Sequence, residues 1–229
     1  MVKKILQLLK RTLTRPEGLQ LDAVGPVSRF FGEDRGTPID RYYIDQFLKR
    51  QNHLITGTVL EIADNKYSKK FGRNVSKYEI LFINQDNPKA TIIGDLTNPD
   101  TLPENKIDCF ICTQTFNFIY NFSDAIQGAY HVLKPRGYLL ATVSGPCQIS
   151  RYDMDRWGDY WRFTTLSALK TFEGVFGEGN VEVDYFGNCF AAVSLIRGIA
   201  AEEIPNEKLD IKDPDYQLTI TITARKLNS

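Results

Sequence analysis

The chain has little of what metal and redox chemistry usually draw on. Its 229 residues include two histidines, His53 and His131, and four cysteines, Cys109, Cys112, Cys147 and Cys189. No cluster with metal-ligand spacing is visible, and the cysteines make no disulfide framework. Cys109 and Cys112 have the spacing of a redox or zinc pair. They sit inside an apolar run that reads as a buried strand, where small core residues are the simpler account. An excess of either charge is also missing. The 28 basic residues balance 28 acidic ones, which removes the electrostatic case for a nucleic-acid partner. No apolar run reaches the roughly 18 residues of a membrane-spanning helix. Charges interrupt the first apolar positions, so no secretory signal is read. A reducing cytoplasmic setting is the expectation. Repeats and low-complexity tracts are absent.

What the chain does have is alternation. Thr91 to Val143 reads as an apolar strand ending on Gly94-Asp95, a strand from Ile107 to Cys112, a helix, and a further strand opened by Pro135-Arg136-Gly137. Strands that are almost continuously apolar and alternate with helices indicate an α/β fold with a doubly wound, mostly parallel sheet, covered on both faces. Upstream, Thr58–Ala63, Glu79–Ile83 and Ala90–Gly94 read as the first three strands, and Val181–Tyr185 and Leu218–Ala224 as the sixth and seventh. The last alternates threonine with apolar partners, which suits an antiparallel position. Helices are expected from Thr37-Pro38 through Arg50, with Thr37 as N-cap and Pro38 at the first helical position. Two more are expected, over Thr165–Phe176 and within the apolar insertion Asn188–Glu203. Ligands in such sheets sit beyond the carboxyl ends of the strands, which is where Asp95, Thr113–Asn117 and Ser144-Gly145 fall.

Residues 1–15 (MVKKILQLLKRTLTR) are basic and amphipathic, with Ile5, Leu8, Leu9 and Leu13 at helical spacing and no acid among them. Two readings stand: peripheral contact with an anionic membrane surface, or docking on the chain's own domain or on a partner. Pro16 to Gly36 reads as a linker. The organisation expected is therefore residues 1–36 as helix and linker, followed by one domain over 37–229.

An apolar strand ending in Gly94-Asp95-Leu96, the Asp108-Cys109-Phe110-Ile111 strand, and the run Leu133-Lys134-Pro135-Arg136-Gly137-Tyr138-Leu139-Leu140 resemble motifs of class I S-adenosylmethionine-dependent methyltransferases, of the type 11-like kind. The resemblance covers roughly Gly57 to Val143. It implies a Rossmann-like seven-stranded sheet with an antiparallel last strand, S-adenosylmethionine as cofactor, and methyl transfer as the activity.

The resemblance also locates departures. The family follows its first strand with an acidic residue and alternating glycines, which let the cofactor approach bare backbone. Here Glu61 is in place, but Ala63, Asn65 and Tyr67 stand where the glycines belong, with Asp64 between them. The same loop argues against a nicotinamide-dependent reductase, which needs Gly-x-Gly-x-x-Gly there. After the second strand, Asn84 to Lys89 is the whole connection, whereas a parallel crossover normally takes a dozen residues or more. A helix-free link with strands two and three offset is the expectation. Asn84 or Asp86 either bonds a cofactor ribose or is a plain turn residue.

By the same resemblance, Asp95 accepts from the adenine amine with Leu96 on the ring, unless it caps its own turn. Thr113, Gln114 and Asn117 reach the sulfonium end or cap the next helix. Arg41 either pairs with the cofactor carboxylate or is solvated.

The stretch Arg151–Thr165 (RYDMDRWGDYWRFTT) is almost wholly aromatic or charged. It suits a hydroxylated, sugar-like acceptor and resembles methyltransferases found among polysaccharide-building enzymes. With no histidine nearby, Asp153, Asp155, Asp159 and Tyr160 are the candidate catalytic bases. The competing reading is a methyltransferase-like fold without catalysis, serving as a binding module in a glycan-assembly or membrane-associated complex.

Overall fold

The computed structural model describes residues 2–13 and 24–227. Residues 14–23, with Arg15 and much of the expected linker, lie outside the described residues. The chain divides into two compact units. One comprises Met1–Asp45, Gly145–Ile149 and Tyr185–Thr219; the other comprises Gln46–Ser144, Ser150–Asp184 and Ile220–Ser229.

The second unit contains nearly all of a seven-stranded sheet of order β3-β2-β1-β4-β5-β7-β6. The strands are β1 (Gly57–Ile62), β2 (Val75–Phe82), β3 (Ile92–Ile93), β4 (Ile107–Thr113), β5 (Leu133–Ser144), β6 (Val181–Phe186) and β7 (Thr219–Arg225). β1 pairs in parallel with both β2 and β4, β2 with β3, and β4 with β5. β7 runs against both its neighbours: Arg136 N donates to Lys226 O and Gly145 N to Leu218 O, while Leu218 N donates to Phe186 O and Arg225 N to Asn180 O. The central strands are apolar on both faces because helices cover both. Val59, Leu60, Cys109, Phe110, Ile111, Cys112, Leu139 and Leu140 are all buried. Cys109 and Cys112 are core residues, and burial pushes both thiols up, Cys112 to about 12.

Helix α4 (Phe122–Val132) runs into β5 without a loop. α6 (Thr165–Phe176) begins at a reciprocal cap between Thr164 and Ser167 and ends at Gly177, whose φ of 87° is left-handed. That residue spares the helix the cost of a Cβ in such a conformation. α6 anchors itself through Phe172 and Phe176, whose rings meet Phe116 and Tyr130 edge-on at 5.4 and 5.1 Å. Each such buried ring contributes about 1.5–3 kcal/mol.

Between β2 and β3 there is no helix, only turns. β3 meets just the end of β2, Leu81 opposite Ile92 and Phe82 opposite Ile93. The expected third strand, Ala90–Gly94, is shorter for that reason. Among the described residues three helices were not expected: the short α5 (Arg151–Met154) and α8 (Asn206–Leu209), and α3 (Lys66–Phe71), directly after β1. The sequence of α3, KYSKKF, has no apolar stripe, so periodicity does not reveal it.

In the first unit, α1 (Val2–Leu13) and most of α2 (Ile39–Arg50) are joined by α7 (Cys189–Arg197) and α8 (Asn206–Leu209). The expected insertion helix stops at Gly198, a left-handed cap with φ 71°. Residues 24–36 run as turns held by side chains. The Ser28 hydroxyl donates to Asp34, and the buried Arg35 forms a two-pronged ion pair with Glu203. Tyr43 stacks on Phe186 at 5.1 Å and donates from its hydroxyl to Leu209 O at 2.9 Å.

Candidate functional site

The sheet order places β1 between β2 and β4, so the chain's path reverses between β1 and β4. Open α/β sheets hold ligands in the crevice at that point, beyond the carboxyl ends. Two non-glycine residues there adopt left-handed backbone, Ala63 after β1 (φ 64°) and Gln114 after β4 (φ 50°). Such conformations cost about 1 kcal/mol or more and cluster at functional sites.

Ala63 is exposed and takes a left-handed backbone that glycine adopts without cost, despite carrying a Cβ. Its N–H donates to Leu81 O at 3.0 Å, and its carbonyl accepts from Asn87 Nδ2 at 2.7 Å. Asn65 and Tyr67 do not reproduce glycine backbone. Asn65 precedes α3, and Tyr67 lies inside it. Glu61 explains why. Its buried carboxylate accepts from Tyr67 N at 3.0 Å, from Ser68 N at 2.8 Å and from the Ser68 hydroxyl. It therefore caps the amino end of α3, satisfying donors that have no intrahelical partner. Burial raises its pKa above the ordinary glutamate value, partly opposed by the bonds from Ser68 and Tyr67. Asp64 is paired with Lys66, N–H and ammonium together.

Beyond β2, Asn84 and Asp86 bond each other: Asn84 Nδ2 donates to Asp86 Oδ2, and Asp86 N donates to Asn84 Oδ1. This is a self-contained turn. Beyond β3, Asp95 Oδ1 accepts from Thr97 N and Thr97 Oγ1, so Asp95 does cap its turn. Leu96 is buried. Beyond β4, Thr113 is half-buried, its carbonyl accepting from the Thr115 hydroxyl. Gln114 Oε1 accepts from Ser144 Oγ, while Gln114 Nε2 has no partner among the described residues. Asn117 Oδ1 is likewise unpartnered. Both side chains are more than nine-tenths buried, at 7% and 2% exposure. Buried polar groups without partners are costly, so two in one turn mark a place where a ligand supplies the missing bonds. Arg41 is an exposed residue of α2 in the other unit.

Residues 150–163 lie over this end of the sheet. Tyr160 N and Trp161 N both donate to Asn117 O, and Phe163 N donates to Ser144 O. Trp157 meets Phe82, the last residue of β2, edge-on at 6.0 Å. Trp161 donates to Tyr120 O and joins Tyr120, Phe122, Tyr160 and Phe163 in a ring cluster. Gly158 has φ 98°, a conformation that L side chains rarely adopt, and a Cβ there would displace the half-exposed Tyr160 ring.

Among the four candidate bases, Asp159 is fully engaged. Its side chain is 1% exposed, ion-paired to Arg162 and bonded by Ser150 N. Asp155 pairs with Arg151 at the surface. Asp153 accepts from the Ser150 hydroxyl through Oδ2 alone, and the half-exposed Tyr160 offers its hydroxyl. Sequence reasoning did not find the role of Asn87, which depends on a contact across strand ends, whereas Trp157 and Trp161 are readable from sequence as anchors of a surface loop. Among the described residues no group of histidine, cysteine and carboxylates is placed to hold a metal.

Residues 55–141 match the model of a family described as a methyltransferase domain. That match spans 87 of the 229 residues, and over this part the chain is similar to methyltransferases. No curated protein matches it in sequence. Among solved structures, it is similar to a Thermotoga maritima protein described as a possible histamine N-methyltransferase. That match has TM-score 0.54 and 13% identity, and covers 82% of this chain and 91% of that one. It is similar also to a methyltransferase from Archaeoglobus fulgidus, with TM-score 0.51, 15% identity, and coverage of 81% and 94%. The cyclase SpnF matches at TM-score 0.52 and 16% identity, covering 100% and 96%. At these identities the likeness is one of fold, and a cyclase among the matches shows that the fold does not fix the chemistry. S-adenosylmethionine is the cofactor of the methyltransferase family. The residues fit such a group in three places: the accessible backbone turn at Ala63, the unpartnered amide of Gln114, and the Asp95 oxygen that takes no bond from Thr97.

Proposed function

We propose that the methyltransferase domain transfers a methyl group from S-adenosylmethionine to a hydroxyl of a small, sugar-like acceptor. The observation that carries the reading is the pair of buried, unpartnered atoms Gln114 Nε2 and Asn117 Oδ1 beneath the aromatic segment. When bound, the cofactor supplies an electrophilic methyl on a sulfonium. The chain's residues hold the acceptor in line with it and keep water out, which is where most of the acceleration arises. The backbone at Ala63 and the free Asp95 oxygen serve the cofactor, and Gln114 donates to the bound group. Tyr120, Tyr160 and Trp161 offer flat faces of the kind sugar rings stack on.

Proton removal from the hydroxyl falls to Asp153, with Tyr160 as its partner in orienting the acceptor. A positioned base contributes ~100- to 10,000-fold. Asp159 is a positioning residue that fixes the segment through Arg162. The test is transfer of labelled methyl to hydroxylated acceptors by the native protein and by Asp153→Asn. A drop of at least ~100-fold in kcat with KM for the cofactor unchanged supports the reading. Unchanged turnover removes Asp153 as base.

A non-catalytic binding module is favoured by one observation. The Tyr67 N–H, which a glycine loop would leave for the cofactor, is spent on Glu61. Titration with S-adenosylmethionine and, separately, NADH separates the readings: no affinity for either supports the module.

A further inference from the structure

Helix α1 meets its own unit by its polar side. Gln7 Nε2 donates to Glu33 O at 2.9 Å, and Lys10 Nζ pairs with Asp34 at 2.8 Å. Ile5, Leu6 and Leu9 are left outward, 51%, 58% and 49% exposed. An amphipathic helix that docks on its own protein normally does the reverse, burying its apolar stripe. Here the contact that fixes the helix is the one that presents the stripe to the outside. The turn receiving α1 continues the surface. Glu33 N donates to Phe30 O, and Phe30 is itself 68% exposed.

The charges carried by the segment itself are of one sign, and one of them, Lys10, is paired with Asp34. Residues 1–16 contain Lys3, Lys4, Lys10, Arg11 and Arg15, and no aspartate or glutamate. A basic polar flank with leucine, isoleucine and phenylalanine between is the pattern that lies in the interface plane of a bilayer. The apolar side enters the acyl boundary and the cations meet anionic headgroups. No helix among the described residues is long and apolar enough to cross a membrane, so the contact is a surface one. A second copy of this chain is disfavoured as the occupant, because pairing two such helices would bring like charges together.

We infer that α1, with Phe30, seats the protein on an anionic lipid surface through Ile5, Leu6 and Leu9. This goes beyond the methyl-transfer reading and does not depend on it.

The test is co-sedimentation of the full chain with phosphatidylcholine vesicles, with and without phosphatidylglycerol. The native protein is expected to sediment with the anionic vesicles, and its affinity to fall at least about tenfold between low and high salt. Leu6→Glu/Leu9→Glu should abolish binding while its circular dichroism and thermal midpoint stay native, since both side chains are already exposed. The inference is overturned if the native protein ignores anionic vesicles, or binds both kinds equally regardless of salt. It is overturned too if the double variant binds as the native protein does. Self-association lost in that variant without any lipid binding would assign the stripe to a second copy instead.

Discussion

Replacing Glu61 probes the joint between β1 and α3, on which the shape of the site depends. Glu61→Ala removes an N-terminal cap, costing about 1 kcal/mol. It also strands the buried donors of Ser68, for about 1–3 kcal/mol more. A loss of about 2–4 kcal/mol follows, or roughly 4–16 °C in Tm for a chain of this size. Glu61→Gln keeps one acceptor and much of the packing, and should cost less. The pH dependence supplies the sharper discrimination. Burial lifts the Glu61 pKa in the folded state above its unfolded value, while Ser68 and Tyr67 hold it down in part. The folded protein therefore keeps this proton more tightly. The stability Glu61 contributes is full below the ordinary carboxylate range and is lost as pH rises through the folded pKa. Glutamine does not titrate, and both proteins share every other carboxylate. The advantage of the native protein over Glu61→Gln should thus be largest below the ordinary carboxylate range and shrink as pH rises above it. Urea unfolding of the three proteins at several pH values measures it. A Glu61→Ala cost under about 0.5 kcal/mol, or an advantage that grows with pH, would refute the reasoning.

Asp159→Asn should loosen the segment over the site. The pair it breaks is buried on the Asp159 side and 29% exposed on the Arg162 side. A loss of about 1–3 kcal/mol is expected, below that of a fully buried pair, together with faster hydrogen exchange at the Tyr160 and Trp161 amides. Cys109 and Cys112, buried with raised pKa values, should resist a disulfide reagent at about pH 8 until the protein unfolds. Cys147 and Cys189, which are partly or fully exposed, should label in the native state, so that a count above two labels per folded chain would contradict the strand assignment.

Much of the fold was legible because parallel strands buried on both faces announce themselves as apolar runs. α6 was read to the residue because Thr164-Thr165 and Gly177 punctuate it. The link after β2 was read as helix-free from length alone, since so few residues cannot fold a helix and return. α3 was not legible: its cap is a side chain from the preceding strand, and nothing in KYSKKF betrays a helix. That the candidate residues fall beyond the strand ends was legible, but not their arrangement. Asp95 and Asn84 have local turn partners that compete for their side chains, and sequence gives no way to choose between local and ligand bonds. Conversely, the left-handed backbone at Ala63 and Gln114 is imposed by strand geometry against local preference, so only the folded chain displays it.

The crevice between β1 and β4 should hold S-adenosylmethionine against Gln114. Calorimetric titration of the cofactor into the native protein and Gln114→Leu tests it most directly. Saturable binding to one site is expected in the native chain, weakened at least about tenfold in the variant, with folding stability altered by no more than about 1 kcal/mol. Absence of binding to the native chain, or equal affinity in both proteins, would contradict it.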